Sequence, residues 1–147
     1  MPVSTFAIDC SIPFQARAAE RLTTEPVGWL VTLDADGTPQ PSPVWFLWDG
    51  ADRVLIYSQE TKKVRNIEAR PRVAFHFNDG DDADGPGSVV IFIGAAVVDR
   101  SHPVAFNHPE FLKKYGEEIT GFGVTYEAWS ADYHVPIIMT IEKVRGH

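Results

Sequence analysis

With 147 residues, 44% hydrophobic and 22% charged, the chain is one ordinary domain that can bury a core and is too short for two. Its formal net charge of −7 and pI near 5.1 argue against a nucleic-acid binder, while leaving room for a local basic pocket. A single cysteine, Cys10, excludes an intramolecular disulfide and a cysteine-rich metal site, and no apolar run approaches the ~18 residues of a membrane span.

Cys10 sits beside Asp9 with no histidine near it in sequence, and reads as an inert thiol. No basic stretch followed by an apolar one opens the chain, so no signal peptide is expected and the cytoplasm is the expected compartment. Residues 13–22 carry good helix formers, and Pro26 and Gly28 end that run. Residues 29–33 read as a strand, and Asp34-Ala35-Asp36-Gly37 as a hairpin turn in which glycine supplies a positive φ. Residues 38–48 return as a second strand, whose start is interrupted by Pro39, Pro41 and Pro43. Proline cannot donate to a ladder, so this part is an edge or a bulge. After a turn at Asp49-Gly50, residues 53–58 form a third strand.

At residues 61–70 the period changes to that of a helix. Val64 and Ile67 share one face, Lys62, Arg65 and Asn66 the other, with Lys63 on the border, and Pro71 stops the helix. Residues 72–77 alternate as a strand, 79–87 form an acidic glycine-rich loop, and 88–99 form a long apolar strand. Residues 103–115 are expected to be helical in pieces, broken at Pro109 and Gly116. Residues 125–133 suggest a short helix, and 136–142 close as a strand. About six strands joined by short turns favour an antiparallel barrel over βαβ units.

Three groups of residues can carry chemistry. Lys62, Lys63, Arg65, Arg70 and Arg72 put five of thirteen basic residues into eleven positions, directly after the strand ending Tyr57-Ser58. A strand end feeding a helix start can gather N–H, hydroxyl and ammonium groups around one phosphate, although the same run also reads as a solvated helix face. Ser42-Pro43-Val44-Trp45-Phe46 is a proline-bent aromatic strand along which a planar ring can lie, or else a core strand. Tyr126, Trp129 and Tyr133 share a helix face and either pack or line a substrate pocket. The acidic loop lacks the spacing and the terminal glutamate of a calcium loop, and the five histidines show no zinc-ligand spacing. No nucleophile elbow, P-loop or dinucleotide fingerprint is present, so no catalytic residue and no metal site is assigned, and a cofactor would have to carry any reaction.

The order of these features resembles the pyridoxamine-phosphate-oxidase-like split barrels, and within them the small actinobacterial proteins that use the deazaflavin coenzyme F-420. The resemblance spans residues 21–144. It rests on the strand from Gly28 to Leu33, the turn Asp36-Gly37, the strand from Pro41 to Phe46, and Tyr57-Ser58 followed by Lys62-Lys63-Val64-Arg65-Asn66-Ile67 and Arg70-Pro71-Arg72-Val73. It implies a mainly β, six-stranded antiparallel split barrel over the whole chain, forming a homodimer with cofactor sites across the interface. Residues matching Val44, Trp45 and Phe46 would lie along the cofactor ring, largely through backbone, with Ser42 and Pro43 of the same bent strand also binding the cofactor. Those matching Tyr57, Ser58, Lys62, Lys63 and Asn66 would surround its ribityl chain and phosphate, while Trp129 and Tyr133 would shape the substrate pocket. The cofactor implied is F-420, whose acidic tail suits a basic strip, or alternatively FMN. The activity implied is hydride transfer to a small organic molecule, against the alternatives of an FMN enzyme or a non-catalytic carrier. The ending from Glu142 to His147 lacks the basic substrate-phosphate motif of true pyridoxamine-phosphate oxidases, so vitamin B6 oxidation is not expected.

Overall fold

A computed structural model describes residues 6–78 and 88–147. The acidic loop 79–87 lies outside the described residues. The elements in order are α1 (Pro13–Thr24), β1 (Gly28–Leu33), β2 (Pro39–Val44), β3 (Phe46–Trp48), β4 (Arg53–Ser58), α2 (Lys62–Ala69), β5 (Arg72–His76) and β6 (Val90–Val98). A 3-10 turn (Ala105–Asn107), α3 (Pro109–Gly121), α4 (Tyr126–Asp132) and β7 (Val135–Gly146) follow.

All strands belong to one curled sheet in the order β2-β1-β5-β6-β7-β4-β3, with every pairing antiparallel. The two ends of that order, β2 and β3, are neighbours in sequence, separated only by Trp45. One bent run of chain therefore serves both edges: Val44 pairs with Gly28 of β1, and Phe46 pairs with Ile56 of β4. This accounts for the count of seven strands where six were expected. The backbone changes partner at Trp45, which splits the predicted strand 38–48 in two. The three prolines fall on β2, an edge strand, as their missing donors require. The turn between β1 and β2 uses Gly37 at φ 85°, with Asp34 N–H donating to the Thr38 carbonyl at 2.9 Å.

Two apolar clusters hold the fold. The barrel interior contains Leu30, Phe46, Val54, Ile56, Phe75, Phe92, Ile137 and Met139, with Phe46 and Phe75 packed edge to face at 5.0 Å. Each such side chain removed from water contributes roughly 1.5–3 kcal/mol. The second cluster lies outside the barrel, where Phe111, Tyr115 and Ile119 of α3 cover Leu55 and Tyr57. That cover explains why β4 is buried from Val54 to Ser58 on both faces, without alternation.

Three local expectations are corrected. Pro109 does not break a helix but starts α3 at its first turn, where a missing N–H costs nothing. Gly116 lies inside α3 because α4 crosses there: a Cβ on Gly116 would come within 1.4 Å of the Tyr126 hydroxyl. Strand β7 runs past residue 142 to Gly146, because β6 offers partners as far as Val90.

Candidate functional site

The bend at Trp45 opens a cleft of about 550 Å³ between the β2–β3 run, the end of β4 and the α3–α4 connection. Pro43, Val44 and Trp45 form one wall, Tyr57, Ser58, Gln59, Thr61 and Lys63 the base, and Phe122, Val124, Trp129 and Tyr133 the far wall. The lining is mostly apolar, and five of its side chains are aromatic. Trp45 stacks on Tyr115 at 4.7 Å and 7°, and stands 5.6 Å from Trp129, which stacks on Tyr133 at 4.6 Å. Phe122, 70% exposed, stands at the mouth. Thr125 caps α4 by accepting from the Ala128 N–H, which sets the facing of Trp129 and Tyr133.

A smaller recess of about 210 Å³ adjoins the cleft, and the two share Thr61 and Lys63. Its lining is polar: Thr32, Gln40, Ser42, Thr61, Lys62, Lys63 and Asn66, with Pro41. Thr61 is the N-cap of α2 and makes no side-chain cap bond; the Val64 N–H donates to the Thr61 carbonyl at 3.1 Å, which leaves the N–H groups of Lys62 and Lys63 for an anion. Lys63 Nζ stands 3.3 Å from Ser58 Oγ and 3.2 Å from Thr61 Oγ1, and burial lowers its pKa below the ordinary lysine value. Lys62 is different. It is 62% exposed and ion-paired to Asp34 at 3.0 Å. The hydrogen bond from Lys62, with others from Gln40 and Asn66, holds the Asp34 carboxyl below the usual carboxylate range.

Eleven of the twelve residues expected at the site line these two hollows: Ser42, Pro43, Val44, Trp45, Tyr57, Ser58, Lys62, Lys63, Asn66, Trp129 and Tyr133. Two of these, Tyr57 and Asn66, have their polar atoms engaged within the fold, and Phe46 lies elsewhere. Tyr57 presents its ring to the cleft, but its hydroxyl donates to the Pro103 carbonyl at 2.6 Å and burial pushes its pKa up to about 12. Asn66 touches the recess yet is buried with Val64 and Ile67, not turned outward with Lys62 and Arg65. Its amide donates to Thr32 Oγ1 at 3.0 Å, which satisfies it inside. Phe46 does not reach the cleft. Its ring is in the barrel core, its N–H donates to the Tyr115 hydroxyl, and its carbonyl accepts from Lys114 Nζ at 2.9 Å. Of the outlying basic residues, Arg70 donates to the Leu33 carbonyl and Arg72 pairs with Glu142.

Sequence reasoning missed Val27, Gln59, Phe122 and Val124 of the cleft, Thr32, Gln40 and Pro41 of the recess, and Thr61, which lines both. Thr61 carried a readable signal, a helix-capping residue directly before the lysine pair. Phe122 and Val124 follow the end of α3, where nothing in the local pattern marks a wall.

The curled antiparallel sheet, with a ligand-sized cleft at its bend, defines a split barrel. The family model described as pyridoxamine 5'-phosphate oxidase matches residues 14–147, and the chain belongs to that family. Among solved structures, one described as an F420 reductase is 29% identical, with 86% of this chain and 94% of that one covered and a TM-score of 0.63. A FAD-binding protein from Mesorhizobium loti is 19% identical over 88% of each chain with a TM-score of 0.61. HutZ, a heme storage protein from Vibrio cholerae, is 16% identical over 91% of this chain and 94% of its own, at 0.59. The last two share the fold. No curated protein matches the sequence.

Proposed function

We propose that the chain is an oxidoreductase dependent on the deazaflavin F-420, passing a hydride to a small organic substrate. One observation carries the reading: an aromatic cleft for a planar body is joined, through Lys63 and Thr61, to a recess of hydroxyl, amide and ammonium groups for a polyhydroxy anionic arm. The similarity to a structure described as an F420 reductase supports it.

In this reading Pro43, Val44 and Trp45 lie along the ring. Ser42, Ser58, Thr61, Lys62 and Lys63 hold the arm and its phosphate. Trp129 and Tyr133 face the substrate. The cofactor supplies the hydride when bound, and the chain binds, orients and excludes water. No side chain is assigned a proton-transfer role, since the Tyr57 phenol is already committed to Pro103.

FMN on the same barrel is the second reading, and a specific observation favours it. Arg70 and Arg72 are committed within the fold, which leaves few cations for the acidic tail that F-420 carries and FMN lacks. Titration of the pure protein with F-420 and with FMN, followed by fluorescence, decides between them. No affinity for F-420 sinks the first reading, and a yellow protein on purification favours the second. Tight binding without turnover over a broad substrate panel would instead identify a carrier. We also propose a homodimer acting in the cytoplasm. Light scattering that reports a monomer at micromolar concentration would overturn the dimer.

A further inference from the structure

A separate hollow of about 510 Å³ lies on the other side of α3, over Leu47, Leu55 and Ile138 on the outside of the barrel. It shares no lining residue with the cofactor cleft. At its rim the rings of His102 and His108 stack at 5.9 Å. His102 Nε2 is the one buried side-chain polar atom among the described residues with no hydrogen-bond partner. His108 is the N-cap of α3, and its Nδ1 accepts from the Phe111 N–H at 3.3 Å.

An imidazole cap differs in kind from a hydroxyl or amide cap. Nδ1 can accept only through its lone pair, so the cap exists only while His108 is neutral. A proton on that nitrogen would oppose two N–H groups. The residue that the cap orders is fully buried directly behind the cleft lining: Phe111 packs on Tyr57 at 4.9 Å and on Trp129 at 5.6 Å. One turn on, Tyr115 stacks on Trp45 and hydrogen-bonds the Phe46 backbone and the Pro26 carbonyl. The first two turns of α3 thus connect the histidine pair to three aromatic side chains that line the cleft: Tyr57 and Trp129 through Phe111, and Trp45 through Tyr115.

We propose that His108 is a positioning residue for the cofactor cleft, and that its neutral imidazole makes the shape of the cleft depend on pH. The proposal rests on the cofactor reading above only in naming what the cleft holds. The charged and titratable groups that line the hollow with His108 are His102 and Asp99 from the connection after β6, Asp49 and Arg53 from the β3–β4 hairpin, and Glu110 on its own turn. Burial, then the neighbouring His102, holds the His108 pKa below the ordinary imidazole value, while Glu110 pulls the other way. The folded chain therefore resists protonation where the unfolded chain accepts it. The cap is complete above the ordinary imidazole range and is lost as pH falls below it.

The test compares the wild type with His108→Asn, a cap that does not titrate, and with His108→Ala, which has no cap. Thermal midpoint, tryptophan emission and affinity for F-420 and FMN are measured at about pH 7.5 and about pH 5.5. The wild type should lose about fivefold in affinity and about 3 °C in midpoint on acidification. His108→Asn should lose neither, and His108→Ala should be weak at both pH values. The titration of a bound phosphate is common to all three proteins and cancels. If His108→Asn keeps the wild-type pH slope, the proposal is wrong. It also fails if the wild-type midpoint moves while affinity and emission stay flat, since His108 is then a cap and nothing more. If neither cofactor binds at any pH, the cofactor reading has failed, and emission read in a Trp29→Phe, Trp48→Phe background, which leaves only Trp45 and Trp129, decides this proposal.

Discussion

Lys62 and Lys63 are adjacent in sequence, yet the structure predicts that replacing them has unequal effects. Lys63 Nζ is partly desolvated and touches only the neutral hydroxyls of Ser58 and Thr61. Among the described residues no carboxylate is paired with it. A charge-assisted hydrogen bond in such a setting is worth about 1.5–3 kcal/mol, so Lys63→Ala should weaken cofactor binding by about tenfold to 150-fold. Lys62 is mostly in water and already paired with Asp34. An exposed pair of that kind contributes at most about 1 kcal/mol, so Lys62→Ala should cost about fivefold or less. Part of that loss would come from the stranded Asp34, which Gln40 Nε2 still holds at 2.7 Å beside the recess. Adding Asp34→Asn should then restore much of the affinity. The assay is fluorescence titration with F-420 or FMN at low and high salt. Added salt should shrink the Lys62 effect more than the Lys63 effect. The reasoning is refuted if Lys63→Ala binds within twofold of wild type, or if Lys62→Ala is the more damaging change.

Three further outcomes follow from packing and burial. Tyr115→Phe keeps the ring but strips the hydroxyl that serves the Phe46 N–H and the Pro26 carbonyl, so urea unfolding should show a loss of about 1–3 kcal/mol; an unchanged midpoint would mean water satisfies both groups. Gly116→Ala should cost about 1–3 kcal/mol by pushing on Tyr126, and combining it with Tyr126→Phe should relieve much of that loss. Lys114 sits 3.7 Å from the Phe46 ring centroid, and burial lowers its pKa to about 8. Its folded value lies below its unfolded one, so the unfolded chain binds the proton to higher pH and stability rises as pH goes from about 8 to about 10. Lys114→Met should abolish that alkaline rise in thermal midpoint, and an equal rise in both proteins would show that another group causes it.

Much of this arrangement was legible from local pattern. The turn at Gly37, the alternation in β1 and β5, and the change of period at α2 each follow from nearest-neighbour chemistry. What escaped depends on tertiary cover. The apolar run of β4 cannot announce that α3 lies over its outer face. Asn66 looked solvent-facing because it is polar, and only the approach of Thr32 and Asp34 makes its burial tolerable. Phe46 was grouped with Trp45 as a ring wall, but a change of strand partner between them sends one side chain inward and leaves the other at the cleft. Gly116 and Pro109 read as breakers, and each is instead fitted to its place, one by a crossing tyrosine and the other by a helix start.

The three prolines of β2 also give that strand a one-sided chemical character. Their spacing of two puts Gln40, Ser42 and Val44 on the side bonded to β1, and Pro39, Pro41 and Pro43 on the open side. Along its open side the strand therefore presents carbonyl oxygens and not one hydrogen to give. A further β-strand needs both in alternation, so the barrel cannot be extended into a fibre from this edge. A small molecule with N–H or O–H groups has no such difficulty. The same border that refuses another polypeptide is able to read a donor on a ligand.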